Sequence, residues 1–148
     1  MSHVYPHAVD AFRRMDGLEA LQMMQRGEIP TTNITRWMNF SLETAERGRV
    51  VFAMMPEEKL YNMIGSVHGG IITTLMDNAL GSAVQSVLLA GRVATTMDLH
   101  TRFHRPVTAA TARSSPMRTS CTPAAARRRP KPTWSMPTAP SMRRARRR

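Results

Sequence analysis

From Ile71 to Ala90 the chain runs through helix-forming sequence in which Asp77 is the only charged side chain. Ile72, Leu75, Met76, Ala79, Ala83 and Val87 recur at three- and four-residue spacing, which predicts a helix with one apolar face turned to a core. Asp77 shares its own face with Gly70, Thr73, Thr74, Gly81 and Val84. A solvent-facing stripe normally carries several Lys, Glu or Arg, so this helix is expected to have little free surface, with Asp77 set against something other than bulk water. The stretch approaches the length of a bilayer span. A central Asp alone costs about 2.5–3.5 kcal/mol there, and Asn78 and Gln85 add to it, so no span is expected. On the helix alone, a plain buried helix whose Asp makes a structural hydrogen bond is an equal rival.

The residues before the helix shift that balance. Gly69 and Gly70 at a helix start allow close approach by a ligand or another backbone. The unpaired amides there, with the positive end of the dipole, suit a developing negative charge, which is how a helix N-terminus becomes an oxyanion site. His68 stands just before it and Asn62 lies in the loop leading in. His-Gly-Gly alone is a weak motif. Joined to a carboxylate nine residues on, in an uncharged helix, it is far more specific.

Asn62, then HGGIITTLMDNALGSA from His68 to Ala83, then TTMDLHTRFHRPV from Thr95 to Val107, resemble the hot-dog-fold acyl-CoA thioesterases of the PaaI-like group. The resemblance covers roughly residues 35 to 111 and is strongest from 60 to 107. It implies an α+β hot-dog fold, a long central helix wrapped by a curved antiparallel sheet, working as a homodimer or a dimer of dimers. It also implies roles at matching positions. Asp77 is the catalytic carboxylate, as general base on water or as nucleophile on the thioester carbon. Gly69 offers its amide to the thioester carbonyl oxygen, with Gly70 beside it. His68 and Asn62 orient the thioester and the attacking water, and Thr96 assists as a hydroxyl. Family sites lie between subunits, so Asp77 of one chain is expected to face Gly69 of the other.

These residue types fit the chemistry. Thioester hydrolysis needs a base, an activated water and a stabilised oxyanion, while a thiolate leaves with little help from an acid. No cofactor is expected. His3, His7, His68, His100 and His104 show no spacing with Cys or carboxylates that supports a zinc site, and His100 and His104 read as ordinary strand residues.

Along the chain, residues 1–30 form an N-terminal helical segment, 31–111 an incomplete hot-dog domain, and 112–148 a basic tail. Met1–His7 is too polar for a signal peptide, so a cytoplasmic location is the default. Val9, Phe12, Met15, Leu18, Leu21 and Met24 predict one amphipathic helix from Ala8 to Arg26, closed by Gly27 and Pro30. Thr35–Thr44 and Arg49–Met55 predict two strands joined by a turn at Glu46, Arg47 and Gly48. Glu57 and Glu58 read as solvated. Gly91 is expected to stop the long helix, and Val93–Phe103 to resume a strand.

At Ala112 the character of the sequence changes. Through Thr111 there are ten Lys plus Arg against ten Asp plus Glu, and from Ala112 onward eleven basic residues with no acid, so the whole formal charge of +11 lies in the tail. With almost no aliphatic residue and no strand or helix period, the tail predicts disorder. One reading is a basic tail that attracts nucleic acid by counterion release, although no nucleic-acid-binding motif accompanies Arg143, Arg144 and Arg146 to Arg148. The other is a change of reading frame near Thr111. Read one base earlier, the codons of Ser114, Ser115, Ser120 (if TCN), Cys121, Trp134 and Ser135 all acquire T as middle base and specify aliphatic or aromatic residues. They fall in adjacent pairs, as strand cores do. A chain so shifted would lose about three strands and be inactive or prone to aggregate. Cys121 alone permits no internal disulfide.

Beside acyl-CoA hydrolysis stand two other readings: a hot-dog protein that holds acyl-CoA without cleaving it, and a nucleic-acid binder through the tail. The acyl group is not readable from the sequence, and no membrane partner is expected.

Overall fold

A computed structural model describes residues 10–111 and 117–121. Its sheet starts from a two-residue turn in which Gly48, at φ +74°, takes the left-handed conformation open to glycine. The turn joins β1 (Phe40–Glu46) to β2 (Arg49–Met54), paired antiparallel from Phe40↔Met54 to Glu46↔Arg49 with a bulge between Leu42 and Thr44. A third strand, β3 (Met117–Cys121), pairs antiparallel with the other edge of β2, from Val50↔Cys121 to Met54↔Met117, giving the order β1-β2-β3. The central strand is apolar from Val50 to Met54 and buried throughout, as a strand covered on both faces should be.

Before the sheet come α1 (Gly17–Gln25) and the short α2 (Asn33–Trp37); after β2, a 3-10 turn at Glu58–Leu60 leads to α3 (Gly69–Gln85). Ile72, Leu75, Ala79 and Ala83 of α3 form one core with Val50, Phe52 and Met54 of β2 and with Ala20, Leu21 and Met24 of α1. Leu75, Ala79 and Ala83 are 0% exposed. The alanines let the helix lie close on the sheet. Leu75 fills the space between, so truncating it to Ala is expected to cost about 2–5 kcal/mol. No helix among the described residues is long and apolar enough to cross a membrane.

Five expectations are corrected. The single helix over Ala8–Arg26 is broken at Met15 and Asp16, because Gly17 packs directly on the Gln85 backbone where a Cβ would overlap the carbonyl. The break is stitched to the far end of α3 by Gly17 N–H to Leu88 O (3.0 Å) and Ala90 N–H to Asp16 Oδ1 (3.0 Å). The first strand starts at Phe40 rather than Thr35, since Thr32 caps α2 by accepting from Thr35 N–H, and Asn39 at φ 54° ends the turn. The long helix ends at Gln85, before Gly91 is reached. Buried Ser86 Oγ bonds Ala83 O (2.8 Å) and accepts from Gly48 N–H (2.7 Å), fastening the helix end to the hairpin turn.

The fourth concerns residues 93–103, which carry no strand. A ladder needs a neighbour, and β2 already holds β1 and β3 on its two edges. The extended chain is fastened to α3 instead. The expectation that no strand occurs beyond Ala112 is also overturned, for Met117–Cys121 forms β3. Pairing uses backbone groups alone, so an unpromising composition does not forbid it. Expectations for residues 1–9, 112–116 and 122–148, including the absence of a signal peptide and the disorder of the tail, lie outside the described residues.

Candidate active site

His68 is the N-cap of α3. Its Nδ1 accepts from Gly70 N–H (2.9 Å) and its carbonyl accepts from Ile71 N–H (2.9 Å) and Ile72 N–H (3.3 Å). With Nδ1 accepting, the neutral ring carries its proton on Nε2 and presents a donor outward. The cap takes up every early amide but one: Gly69 N–H has no acceptor among the described residues. Of the two glycines, Gly69 is thus the one with an amide to offer, while that of Gly70 is spent on His68.

Asn62 shapes the approach to this turn. Its Oδ1 accepts from Ile64 N–H (3.1 Å) and Ser66 N–H (3.2 Å), and its Nδ2 donates to Ser66 Oγ (3.2 Å). The side chain is committed to holding residues 62–66 in a closed turn. Its place in the site is to set that turn and line a groove of about 300 Å³ between the turn and residues Phe103–Val107. His68 N–H to Leu60 O and Val67 N–H to Val107 O, both 2.8 Å, pin the two walls.

At the other end, Asp77 is half-buried, and its Oδ1 accepts from Thr96 Oγ1 at 2.6 Å. Thr73 and Thr74 turn their hydroxyls back to the carbonyls of Gly69 (3.0 Å) and Gly70 (2.9 Å), a common use of mid-helix threonines. The stretch that carries Thr96 descends the whole of α3. Gln85, 7% exposed, donates from Nε2 to Arg92 O (2.8 Å) and accepts at Oε1 from Ala94 N–H (3.3 Å). Thr96 then meets Asp77, Thr101 meets Thr73 (3.5 Å), and the Phe103 ring lies over Gly69, 3.3 Å from where a Cβ would stand. Gln85 is the site residue that sequence reasoning missed. Its signal was a lone long amide in the apolar second half of the helix.

Gly69 and Asp77 stand eight residues apart on one helix, about 12 Å along its axis. One chain therefore cannot bring both to the same carbonyl. His68, Gly69 and Asn62 gather at the N-terminal end of α3; Asp77 and Thr96 gather a little over two turns away.

Glu57 lies apart from both groups. Lys59 at 2.9 Å, then Asn39, hold its carboxyl below the usual range through hydrogen bonds, in solvent. Among the described residues no group of three or more His, Cys, Asp or Glu is placed to hold a metal ion.

Residues 64–120 match the profile of the Thioesterase superfamily, and the helix-on-antiparallel-sheet architecture is that of the hot-dog fold. The matched segment runs past the change in composition at Ala112 into β3. A protein of Halobacterium salinarum, provisionally named an esterase, is 41% identical over 76 residues, a match that covers 47% of this chain and 50% of that protein. The chain thus spans about half the length of the curated relative it matches. Among solved structures, a Ralstonia eutropha protein related to phenylacetic acid degradation and provisionally titled a thioesterase superposes at TM-score 0.59, with 22% identity over 68% of this chain and 74% of that one. The PaaI protein of the E. coli phenylacetic acid degradation operon superposes at 0.52, with 20% identity over 60% and 62% of the two chains. At such identities these likenesses establish the fold alone.

Proposed function

We propose that the chain hydrolyses acyl-CoA thioesters to a free acid and CoA, in a homodimer or homotetramer whose sites lie between subunits. The observation that carries this reading is the division of labour along α3: one amide without an acceptor at the N-terminal turn, and a carboxylate steadied by a hydroxyl two turns away. A second copy running the opposite way brings its Asp77 to the first copy's Gly69, which joins in two sites what one chain keeps apart.

In such a site the thioester carbonyl oxygen sits on Gly69 N–H, where the helix dipole favours negative charge. Thr96 holds one oxygen of Asp77 and leaves the other to face water. The carboxylate takes the water proton as the water oxygen bonds to the carbonyl carbon, or adds to that carbon itself and is released by water afterwards. Either route builds an oxyanion on Gly69 N–H. As it collapses, the C–S bond breaks and the thiolate departs with the electron pair. The outward Nε2–H of His68 is a donor for the substrate at the same turn. The Halobacterium relative's name and the superfamily match support ester or thioester cleavage as the chemical class.

Thiol release from a small panel of aryl, short-chain and medium-chain acyl-CoAs tests the proposal, with Asp77→Ala as the comparison. Loss of release in the variant with CoA binding retained marks an enzyme. Binding without release in both marks a carrier.

A further inference from the structure

The groove beside the N-terminus of α3 has walls of one character and a rim of another. Ile64, Val67, Ile72, Phe103 and Val107 line it, while exposed His104 and Arg105 stand at its edge, and no carboxylate is among its lining residues. Among the described residues Arg105 has no acceptor, nor have Arg102 and His104 on the same stretch. No ion pair joins any of the three to an acid among the described residues. Gly69 lines the same groove, and its N–H is also without an acceptor among the described residues.

Of the groups left open around the groove, the Arg105 guanidinium and Gly69 N–H can only donate. A ligand that satisfies them must bring acceptors and negative charge, and one that fills the walls must bring an apolar stretch. Arginine presents a planar fork that matches a carboxylate or phosphate with two parallel hydrogen bonds. We infer that Arg105 recognises an anionic group on the ligand of this groove, the ligand being an apolar chain that carries a carboxylate or a phosphate. Resting on the thioesterase reading, that anion belongs to one of two sources: the phosphates of CoA, or a carboxylate at the end of the acyl group.

Titration calorimetry on the full chain and on Arg105→Gln separates the sources with three probes. CoA carries phosphates, pantetheine is the same thiol arm without them, and a carboxyalkyl thioether of pantetheine carries a carboxylate on an uncleavable acyl mimic. Loss of one charge-assisted pair is expected to weaken binding about tenfold for the probe whose anion seats on Arg105, with pantetheine unchanged within about twofold. A CoA-specific loss assigns the phosphates and a thioether-specific loss the carboxylate. Arg105→Lys, which keeps the charge without the fork, falls between. Arg36→Gln, whose arginine side chain bonds Asn33 on α2 in solvent, leaves all three probes unchanged. Equal affinity of the full chain and Arg105→Gln for every probe, equal loss for all three, or no binding of any probe by the full chain overturns the inference. Absence of thiol release beside Arg105-dependent binding overturns the hydrolase reading and leaves the anion site standing.

Discussion

Thr96 Oγ1 donates a 2.6 Å hydrogen bond to Asp77 Oδ1 from a stretch of chain that belongs to no strand. The bond fixes one carboxylate oxygen and thereby the direction of the other. Thr96→Val keeps the shape and removes the donor. A hydrogen bond to a charged group contributes about 1.5–3 kcal/mol. In this half-open site the low end applies, so kcat is expected to fall about tenfold with KM little changed. Steady-state thiol release checks it, and Thr96→Ser should recover most of the loss.

Gln85 governs where Thr96 stands. Gln85→Leu leaves Arg92 O and Ala94 N–H without their partner, at a cost of about 1–3 kcal/mol read as a lower urea midpoint. The same change frees the stretch that carries Thr96, so its loss of kcat should not add to that of Thr96→Val in the double variant. Additive losses would show that the two side chains act separately.

Asp77 and the helix around it were legible in the sequence because the signal is local: a charge where the pattern has none, on a period that chain geometry sets. The His68–Gly69–Gly70 turn was legible for the same reason. The break before Gly17 was not, since it comes from contact with Gln85, far along the chain. The roles of Gln85 and Asn62 also needed coordinates, because each acts through backbone groups whose position no side-chain pattern records. The strand expected over Val93–Phe103 shows the opposite failure. Its alternation is genuine, but a strand is a relation between two segments, and this stretch runs along the long helix with no strand beside it among the described residues.

That missing neighbour makes the reading frame testable. If the frame changes near Thr111, the nucleotide sequence lacks one base close to codon 111 or 112. Restoring it should supply strands that pair with residues 93–103, whose amides would then resist hydrogen exchange. An unbroken frame shared by related genes, or rapid exchange over 93–103 in the restored chain, contradicts this. As written, the chain leaves the outer edge of β3 unpaired among the described residues, and such edges invite aggregation.

Gly69→Pro is the sharpest substitution at the N-terminal turn. Proline is tolerated at the first helical position and removes only the amide, and the preceding His68, at φ −60° and ψ 133°, has the extended backbone that a following proline requires. Loss of one oxyanion donor is expected to lower kcat about 10²–10³-fold. Gly69→Ala keeps the amide and meets only the Phe103 ring at 3.3 Å, so its loss should be much smaller.

The claim that Asp77 of one subunit serves the Gly69 turn of another is tested most directly by mixing two inactive chains. Asp77→Asn and Gly69→Pro, each inactive alone, are denatured together and refolded, and thiol release from an acyl-CoA is measured. If sites are shared, half the dimers are mixed and each holds one intact site, so about a quarter of the unmodified activity returns. If the mixture remains as inactive as its components while mixed dimers form, the two residues do not act across an interface and the account fails.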